Sequence, residues 1–227
     1  MGFIKIRGLY KEYLKGTQRL SVLKGIDLDI ERGETVAIVG AARAGKSTLL
    51  NIMGALDRPT DGEVCYGEKR LFSLSQRELA QFRNRYIGFV FQMHHLLPEF
   101  SALENVMMPA LIKGDNFKEA MVRAEGLLRD VGLGERINHK PGELSGGEAQ
   151  RTAIGRAIMQ TPEVLLADEP TGNLDTATGE EVFELLLRLN REHSTTLAIV
   201  THNERLARRL GRVVRVADGM IIEECAT

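Results

Sequence analysis

The sequence predicts an α/β fold with a mixed core and a largely helical lobe. Three observations carry that prediction. A continuous apolar run, Thr35–Val39, is followed by a glycine-flanked loop, Gly40–Gly45, and then by apolar positions at helical spacing. The middle of the chain is rich in helix-start signals and carries a long apolar stripe. The last third returns to short apolar strands around an amphipathic helix, which is the pattern of a parallel sheet.

Residues 3–39 alternate as strands do, through Phe3–Arg7, Val22–Ile30 and Thr35–Val39, with Arg32-Gly33-Glu34 as a turn. Thr35–Val39 reads as a buried central strand. Leu49, Ile52, Met53 and Leu56 then recur at helical spacing until Arg58-Pro59 breaks the pattern. Strand, loop and helix thus follow in the order a phosphate cradle needs. Ser75 with Glu78, and Ser101 with Glu104, each fit a capping box. Ala120, Met121, Ala124, Leu127, Leu128 and Val131 form one helical stripe, and a helical lobe is expected over about 95–155. Val164–Ala167 and Thr196–Val200 read as short buried strands on either side of an amphipathic helix near Glu180–Asn190. The chain closes in a hairpin, Val213–Val216 with Met220–Ile222, around the two-residue turn signal Asp218-Gly219. No internal repeat or low-complexity linker interrupts it, so residues 1–227 are expected to form one domain with lobes.

Composition excludes several classes of function. A formal net charge of −1 lacks the basic footprint of a general polyanion binder, so no nucleic-acid partner is expected. Arg205, Arg208, Arg209, Arg212 and Arg215 are read as a solvated face at helical spacing. Two cysteines, Cys65 and Cys225, and a first segment without the apolar core of a signal peptide point to a reducing, cytosolic setting. Apolar runs fall far short of the roughly 20 residues that cross a bilayer, so any work on a membrane requires another chain to span it.

The chemistry is concentrated in three segments. Gly40-Ala41-Ala42-Arg43-Ala44-Gly45-Lys46-Ser47 has two glycines flanking four residues, then Lys and a hydroxyl residue. Such a loop aims backbone N–H groups at phosphates, with Lys46 as a point charge on the β/γ-phosphates and the Ser47 hydroxyl on Mg²⁺. Asp168 and Glu169 end the apolar run Val164–Ala167. Asp168 suits a metal, and Glu169 suits a general base whose pKa is raised by burial and a nearby anion. On their own, two acids after a strand are as often a turn or a helix start. Leu144-Ser145-Gly146-Gly147-Glu148-Ala149-Gln150-Arg151 supplies small residues at the start of a helix carrying Ile154, Ala157 and Ile158. That makes either a second anion-binding helix end or a plain N-cap followed by flexible glycines.

Taken together, in this order and spacing and over nearly the whole chain, these motifs resemble the ABC ATPase family, with Leu144–Arg151 similar to its signature segment. The resemblance implies a P-loop NTPase fold, the ABC nucleotide-binding domain, in which an N-terminal antiparallel sheet joins a mixed α/β core and a helical subdomain. It implies ATP hydrolysis with Mg²⁺. Catalysis would fall to Lys46, Glu169 and His202, the last as γ-phosphate sensor. Tyr13 would stack on adenine, while Gly40, Ala41, Ala42, Arg43, Ala44, Gly45, Lys46, Ser47 and Thr48 cradle the phosphates. The metal ligands would be Ser47, Gln92 and Asp168, with Gln92 linking Mg²⁺ to the transport partner. Two chains would meet head to tail as a homodimer, Ser145, Gly146, Gly147, Glu148 and Asp175 reaching the partner's nucleotide. Taken singly, Tyr13 reads as a packed strand aromatic, Gln92 as a surface amide, Asp175 as a helix cap and His202 as a polar strand end.

Within the family, Phe91–Phe100 followed by Ser101–Val106 is similar to the ATPases of lipoprotein-releasing (LolD-type) systems, whereas Asp168–Asp175 is shared more broadly. That likeness implies a peripheral protein at the cytoplasmic face of the inner membrane, working with integral membrane permease subunits. ATPases of macrolide-type efflux or cell-division complexes are the alternatives. A soluble ABC ATPase acting on DNA or ribosomes is disfavoured, because no long coiled-coil insertion separates Lys46 from Ser145 and no second cassette follows. The pair His94-His95 lacks nearby partners for a zinc site. The sequence departs from the family at Ala42 and Arg43, where Ser and Gly are usual.

Overall fold

The computed structural model describes residues 2–16 and 18–226. The chain forms two compact units, Met1–Ala80 with Thr196–Thr227, and Gln81–Thr195. In chain order the first unit begins with β1 (Ile4–Lys15), β2 (Gln18–Ile30), β3 (Thr35–Val39), α1 (Lys46–Met53), β4 (Asp61–Tyr66) and β5 (Lys69–Arg70). Helix α2 (Gln76–Tyr86) carries the chain into the second unit, which holds β6 (Ile87–Phe91), α3 (Ala102–Lys113), α4 (Phe117–Asp130), α5 (Gly146–Ile158), β7 (Val164–Asp168) and α6 (Thr176–His193). The chain then returns to the first unit with β8 (Thr196–Val200), α7 (Glu204–Ala207), β9 (Arg212–Ala217) and β10 (Met220–Ala226).

In the first unit β1 lies between β2 and β4, antiparallel to both, and β5 extends the β4 edge. Leu23, Ile26, Leu28 and Ile30 of β2 are buried while Lys24, Asp27 and Asp29 between them face water, the alternation of a sheet with one covered face. A second layer places β3 between β8 and β9, parallel to both, with Ala37 opposite Ile199 and Val213. Both β3 and β8 are apolar along almost their whole length because strands inside a parallel sheet are covered on both faces. Strand β9 turns back into β10 through Asp218 and Gly219, whose φ values of +48° and +81° are those of a primed hairpin turn.

In the second unit β6 and β7 run parallel, with Phe91 opposite Asp168. Ser101 and Glu104 form the capping box of α3, and the Asn116 side chain caps α4. Ala120, Ala124, Leu128 and Val131 of the α4 stripe are buried. The helices of this region run from Ala102 to Ile158.

Three expectations are corrected. Helix α1 stops at Met53, where the Gly54 N–H donates to the Leu50 carbonyl and the Ala55 N–H to that of Ile52, so Leu56 lies beyond it and is half-exposed. Strand β1 continues well past Arg7 to Lys15, because Gly8 at φ +51° absorbs a register shift that would otherwise end the pairing. The arginine series is not one helical face: α7 ends at Ala207, and Arg212 and Arg215 sit on β9. There Arg212 pairs with Glu34 at 2.8 Å and Glu224 at 2.7 Å, and Arg215 with Glu204 at 2.9 Å and Glu223 at 3.2 Å.

Candidate functional site

The first unit builds a phosphate cradle from strand, loop and helix. At Gly40, the first residue after β3, any Cβ would collide with the Val216 carbonyl, so only glycine lets the loop leave the strand this close to β9. Arg43 adopts φ +66° and Gly45, the N-cap of α1, φ +103°. The first turn of α1 contains no acid and Gly45 offers no side-chain cap. A helix start of this kind suits an anion, which the helix dipole also favours. Lys46 is buried, and its Nζ donates to the Gly40 and Ala41 carbonyls, both at 2.9 Å, which holds the ammonium over the loop. Beside it opens a cavity of about 630 Å³ lined by Val22, Lys24, Arg43, Lys46, Ser47 and Thr48, large enough for a nucleotide.

Tyr13 and His202 belong to the same unit. Tyr13 is partly exposed on β1, and its hydroxyl donates to Asp57 Oδ2 at 2.7 Å. Partial burial and that carboxylate raise the phenol's pKa. His202 is exposed just beyond the C-terminal end of β8, the end from which parallel strands present ligand-binding groups.

The second unit gathers the other predicted residues. Asp168 closes β7 and Glu169 follows at φ +48°, a left-handed conformation fixed by a turn in which Gly172 N–H donates to the Glu169 carbonyl at 3.0 Å. Gln92, just after β6, locks onto that turn: its Nε2 donates to Asn173 Oδ1 at 2.9 Å, and Asn173 Nδ2 returns a bond to the Gln92 carbonyl at 3.2 Å. Asp175 caps α6, accepting from the Ala177 and Thr178 N–H groups and from the Thr178 hydroxyl at 2.6 Å.

Ser145 caps α5, its Oγ accepting from Glu148 N–H at 3.2 Å while Glu148 accepts from Ser145 N–H at 2.8 Å and from Arg136 Nε at 3.0 Å. The Ser145 N–H and the Arg136 guanidinium pull the Glu148 carboxyl down to about 2, so this acid is spent on the helix start. Gly146 remains exposed, and Gly147 is buried where a Cβ would fall on Thr178 Cγ2 of α6. The Ser-Gly-Gly end, the Gln92 turn and the Asp175 cap are therefore parts of one unit.

Among the described residues no cluster of three or more His, Cys, Asp or Glu side chains forms a metal cage. Ser47 in the first unit, and Gln92 and Asp168 in the second, each carry oxygen donors of the kind that Mg²⁺ takes. Sequence reasoning missed Asp57 and Lys11, which hold Tyr13, and Asn173, which holds Gln92. It also missed Asn105, fully buried, whose carboxamide ties Leu97, Phe100 and Ser101 together ahead of α3. A polar residue on the buried face of α3 was the available signal for Asn105; the other pairings join distant positions and leave no local mark.

Comparison with known proteins gives a consistent answer. The profile of the ABC transporter family matches residues 23–172. The lipoprotein-releasing system ATP-binding protein LolD of Syntrophus aciditrophicus is 55% identical over 219 residues, covering 96% of this chain and 98% of that protein. The protein of the same name from Geobacter metallireducens is 57% identical over 221 residues, covering 97% and 98%. Among solved structures, the dimeric bacterial ABC transporter cassette MJ0796 superposes with a TM-score of 0.91 at 41% identity, covering 98% of each chain. A post-hydrolysis dimer of the same cassette, bound to ADP and Pi, gives 0.91 at 40%. No helix among the described residues is long and apolar enough to cross a membrane.

Proposed function

The chain belongs to the ABC transporter family as an ATP-binding, ATP-hydrolysing cassette, and from that premise we propose that it powers release of lipoproteins from the inner membrane towards the outer membrane. The carrying observation is identity of 54–57% over nearly the full length to proteins named as ATP-binding subunits of lipoprotein-releasing systems. It acts as a homodimer at the cytoplasmic face of the inner membrane, docked on integral membrane permease subunits, and residues 1–227 work as one ABC ATPase domain.

The residues support a division of labour. Lys46, held over the loop by two carbonyls, exchanges those bonds for the β/γ-phosphates, and the N–H groups of Gly40–Thr48 cradle them. Tyr13 offers its ring to adenine. Ser47, Gln92 and Asp168 hold Mg²⁺, which when bound neutralises phosphate charge. Glu169 takes the proton of the attacking water and His202 contacts the γ-phosphate. Ser145, Gly146 and Gly147 present the start of α5 to the partner chain's nucleotide, and Asp175 orders the adjacent turn. Glu148, bonded to Ser145 and Arg136, shapes that helix start.

The test is affinity purification of the tagged chain from membranes, followed by reconstitution of the recovered complex in lipid vesicles loaded with a lipoprotein. The expected result is co-purification of permease subunits and lipoprotein release that requires ATP. Recovery of an efflux or cell-division permease, or vesicles that hydrolyse ATP without releasing lipoprotein, overturns the assignment.

A further inference from the structure

Lys11 and Tyr13 are two apart on β1 and so share one face of the strand. Both meet Asp57, a residue of the connection between α1 and β4: Lys11 Nζ donates to Asp57 Oδ1 and the Tyr13 hydroxyl to Oδ2, each at 2.7 Å. Lys11 is buried, donates a second 2.7 Å bond to the Arg58 carbonyl, and sets its ammonium 4.6 Å from the centroid of the Tyr13 ring. The cation thus occupies one face of the ring, while Tyr13 keeps 39% of its surface exposed. Asp57 is itself anchored to α1, because its N–H and that of Leu56 both donate to the Asn51 carbonyl. The same connection is fastened to β1 twice more, by Thr60 N–H on the Tyr10 carbonyl and by Glu12 N–H on Thr60 Oγ1.

We propose that Asp57 and Lys11 are positioning residues for the nucleotide base, fixing the Tyr13 ring so that its open face stands at a set distance from the phosphate-loop helix. The proposal rests on the reading of Tyr13 as the adenine platform and adds what holds it. A partly exposed tyrosine, here on the end of β1 that pairs with β2 alone, loses rotamer freedom when a base stacks on it, and that cost weakens binding. Here one carboxylate, anchored to the helix that follows the phosphate loop, fixes the hydroxyl, and the ammonium blocks the far face of the ring. The ring is therefore ordered before the base arrives. Charge-assisted bonds are the strong ones, and Lys11 shields Asp57 from water on one side.

The experiment is calorimetric titration of the full chain with ATP and, separately, with tripolyphosphate at matched Mg²⁺, on wild type, Tyr13→Ala, Tyr13→Phe and Asp57→Ala. Tripolyphosphate carries the phosphates without the base. Tyr13→Ala is expected to weaken ATP binding roughly tenfold or more, the worth of one base–aromatic stack. Tyr13→Phe keeps the ring but cuts the tether, and with Asp57→Ala is expected to weaken ATP about three- to tenfold, the net worth of an ordinary intramolecular hydrogen bond. None is expected to change tripolyphosphate binding. If Tyr13→Ala binds ATP normally, the base platform itself falls and the proposal with it. If Tyr13→Ala weakens ATP while Tyr13→Phe and Asp57→Ala bind it as wild type does, the platform stands and the positioning role is overturned. A loss shared equally by tripolyphosphate also overturns it, since Asp57 would then act on the loop and not on the base.

Discussion

Gly147 is the position where structure and activity are most easily confused. A Cβ there would come closer to Thr178 Cγ2 than the 3.0 Å that real Cβ atoms keep, and the methyl it meets belongs to a β-branched side chain already pinned by the Thr178 hydroxyl to Asp175 at 2.6 Å. Two effects oppose each other in Gly147→Ala. Alanine in a helix is favoured over glycine by roughly 0.5–1 kcal/mol, whereas overpacking costs about 1–3 kcal/mol. The net expectation is a loss of about 0.5–2 kcal/mol, a fall of a few degrees in the melting temperature of a chain this size. Thr178→Ser removes the offending methyl and keeps the hydroxyl on Asp175. In that background Gly147→Ala is expected to be neutral or stabilising by up to about 1 kcal/mol, a coupling of about 1–3 kcal/mol. Thermal unfolding of the four proteins, followed by circular dichroism, measures the cycle. If Gly147→Ala lowers the transition equally in both backgrounds, or not at all in wild type, the steric account is wrong.

The same clash means that loss of hydrolysis in Gly147→Asp does not by itself report docking of the partner's phosphate. Gly146, where a Cβ meets only the end of the Leu174 side chain at 3.3 Å, is the cleaner probe. A Gly146→Asp chain is expected to be inactive alone and to recover ATPase activity when mixed with a Lys46→Ala chain; no recovery in demonstrably mixed dimers removes the composite site. Glu169→Gln is expected to lower turnover by roughly 10²–10⁴ while ATP still binds, and near-normal ATPase activity takes Glu169 out of the base role. Arg43→Gly exchanges a left-handed non-glycine residue, a strain of about 1 kcal/mol, for the comparable entropy of an unfolded glycine, so stability barely moves. ATP binding, read with a fluorescent analogue, is expected to tighten by less than about tenfold, and weaker binding would make Arg43 a phosphate ligand. The depressed Glu148 carboxyl stabilises the fold above its unfolded pKa, and that contribution is lost as pH falls from about 4.5 to about 2. Glu148→Gln is expected to cost on the order of 1 kcal/mol at pH 7 after allowance for screening, with the gap to wild type narrowing below about pH 4.5 and closing only as pH approaches about 2 in denaturant titrations.

The parts of the fold legible in the sequence were those written locally. The apolar run of β3, the capping box at Ser101 and the Asp218-Gly219 turn each depend on neighbours within a few positions, and each formed as read. The end of α1 was misjudged because Leu56 keeps the helical spacing although Gly54 has already turned the chain away. The arginine series was misjudged because α7 ends at Ala207 and the chain continues into β9, where Arg212 is fixed by Glu34 from far away in sequence. The candidate site divides in the same way. The phosphate loop, the acid pair and the Ser-Gly-Gly segment are contiguous and were legible. The bonds that orient them, Asp57 to Tyr13 across 44 positions and Asn173 to Gln92 across 81, were not.

Backbone strain shows why local legibility stops where chemistry begins. Arg43, His95 and Glu169 all take positive φ although none is glycine, and each lies in a segment carrying phosphate-loop, Gln-loop or acid-pair residues. A left-handed non-glycine residue persists only where its surroundings over-determine it. At His95 the half-buried Arg156 of α5 supplies the constraint, its guanidinium donating to the His94 carbonyl at 2.7 Å and to the His95 carbonyl at 2.6 Å. At Glu169 the bond from Gly172 and the buried ring of Pro170 close the turn. At Arg43 the neighbouring Ala44 N–H reaches back to Ala41. Glycine would relieve the strain at each, at a comparable entropic cost in the unfolded chain. At Glu169 a glycine would relax the turn and delete the carboxylate proposed as the base, so the strained residue is what the chemistry of that turn requires.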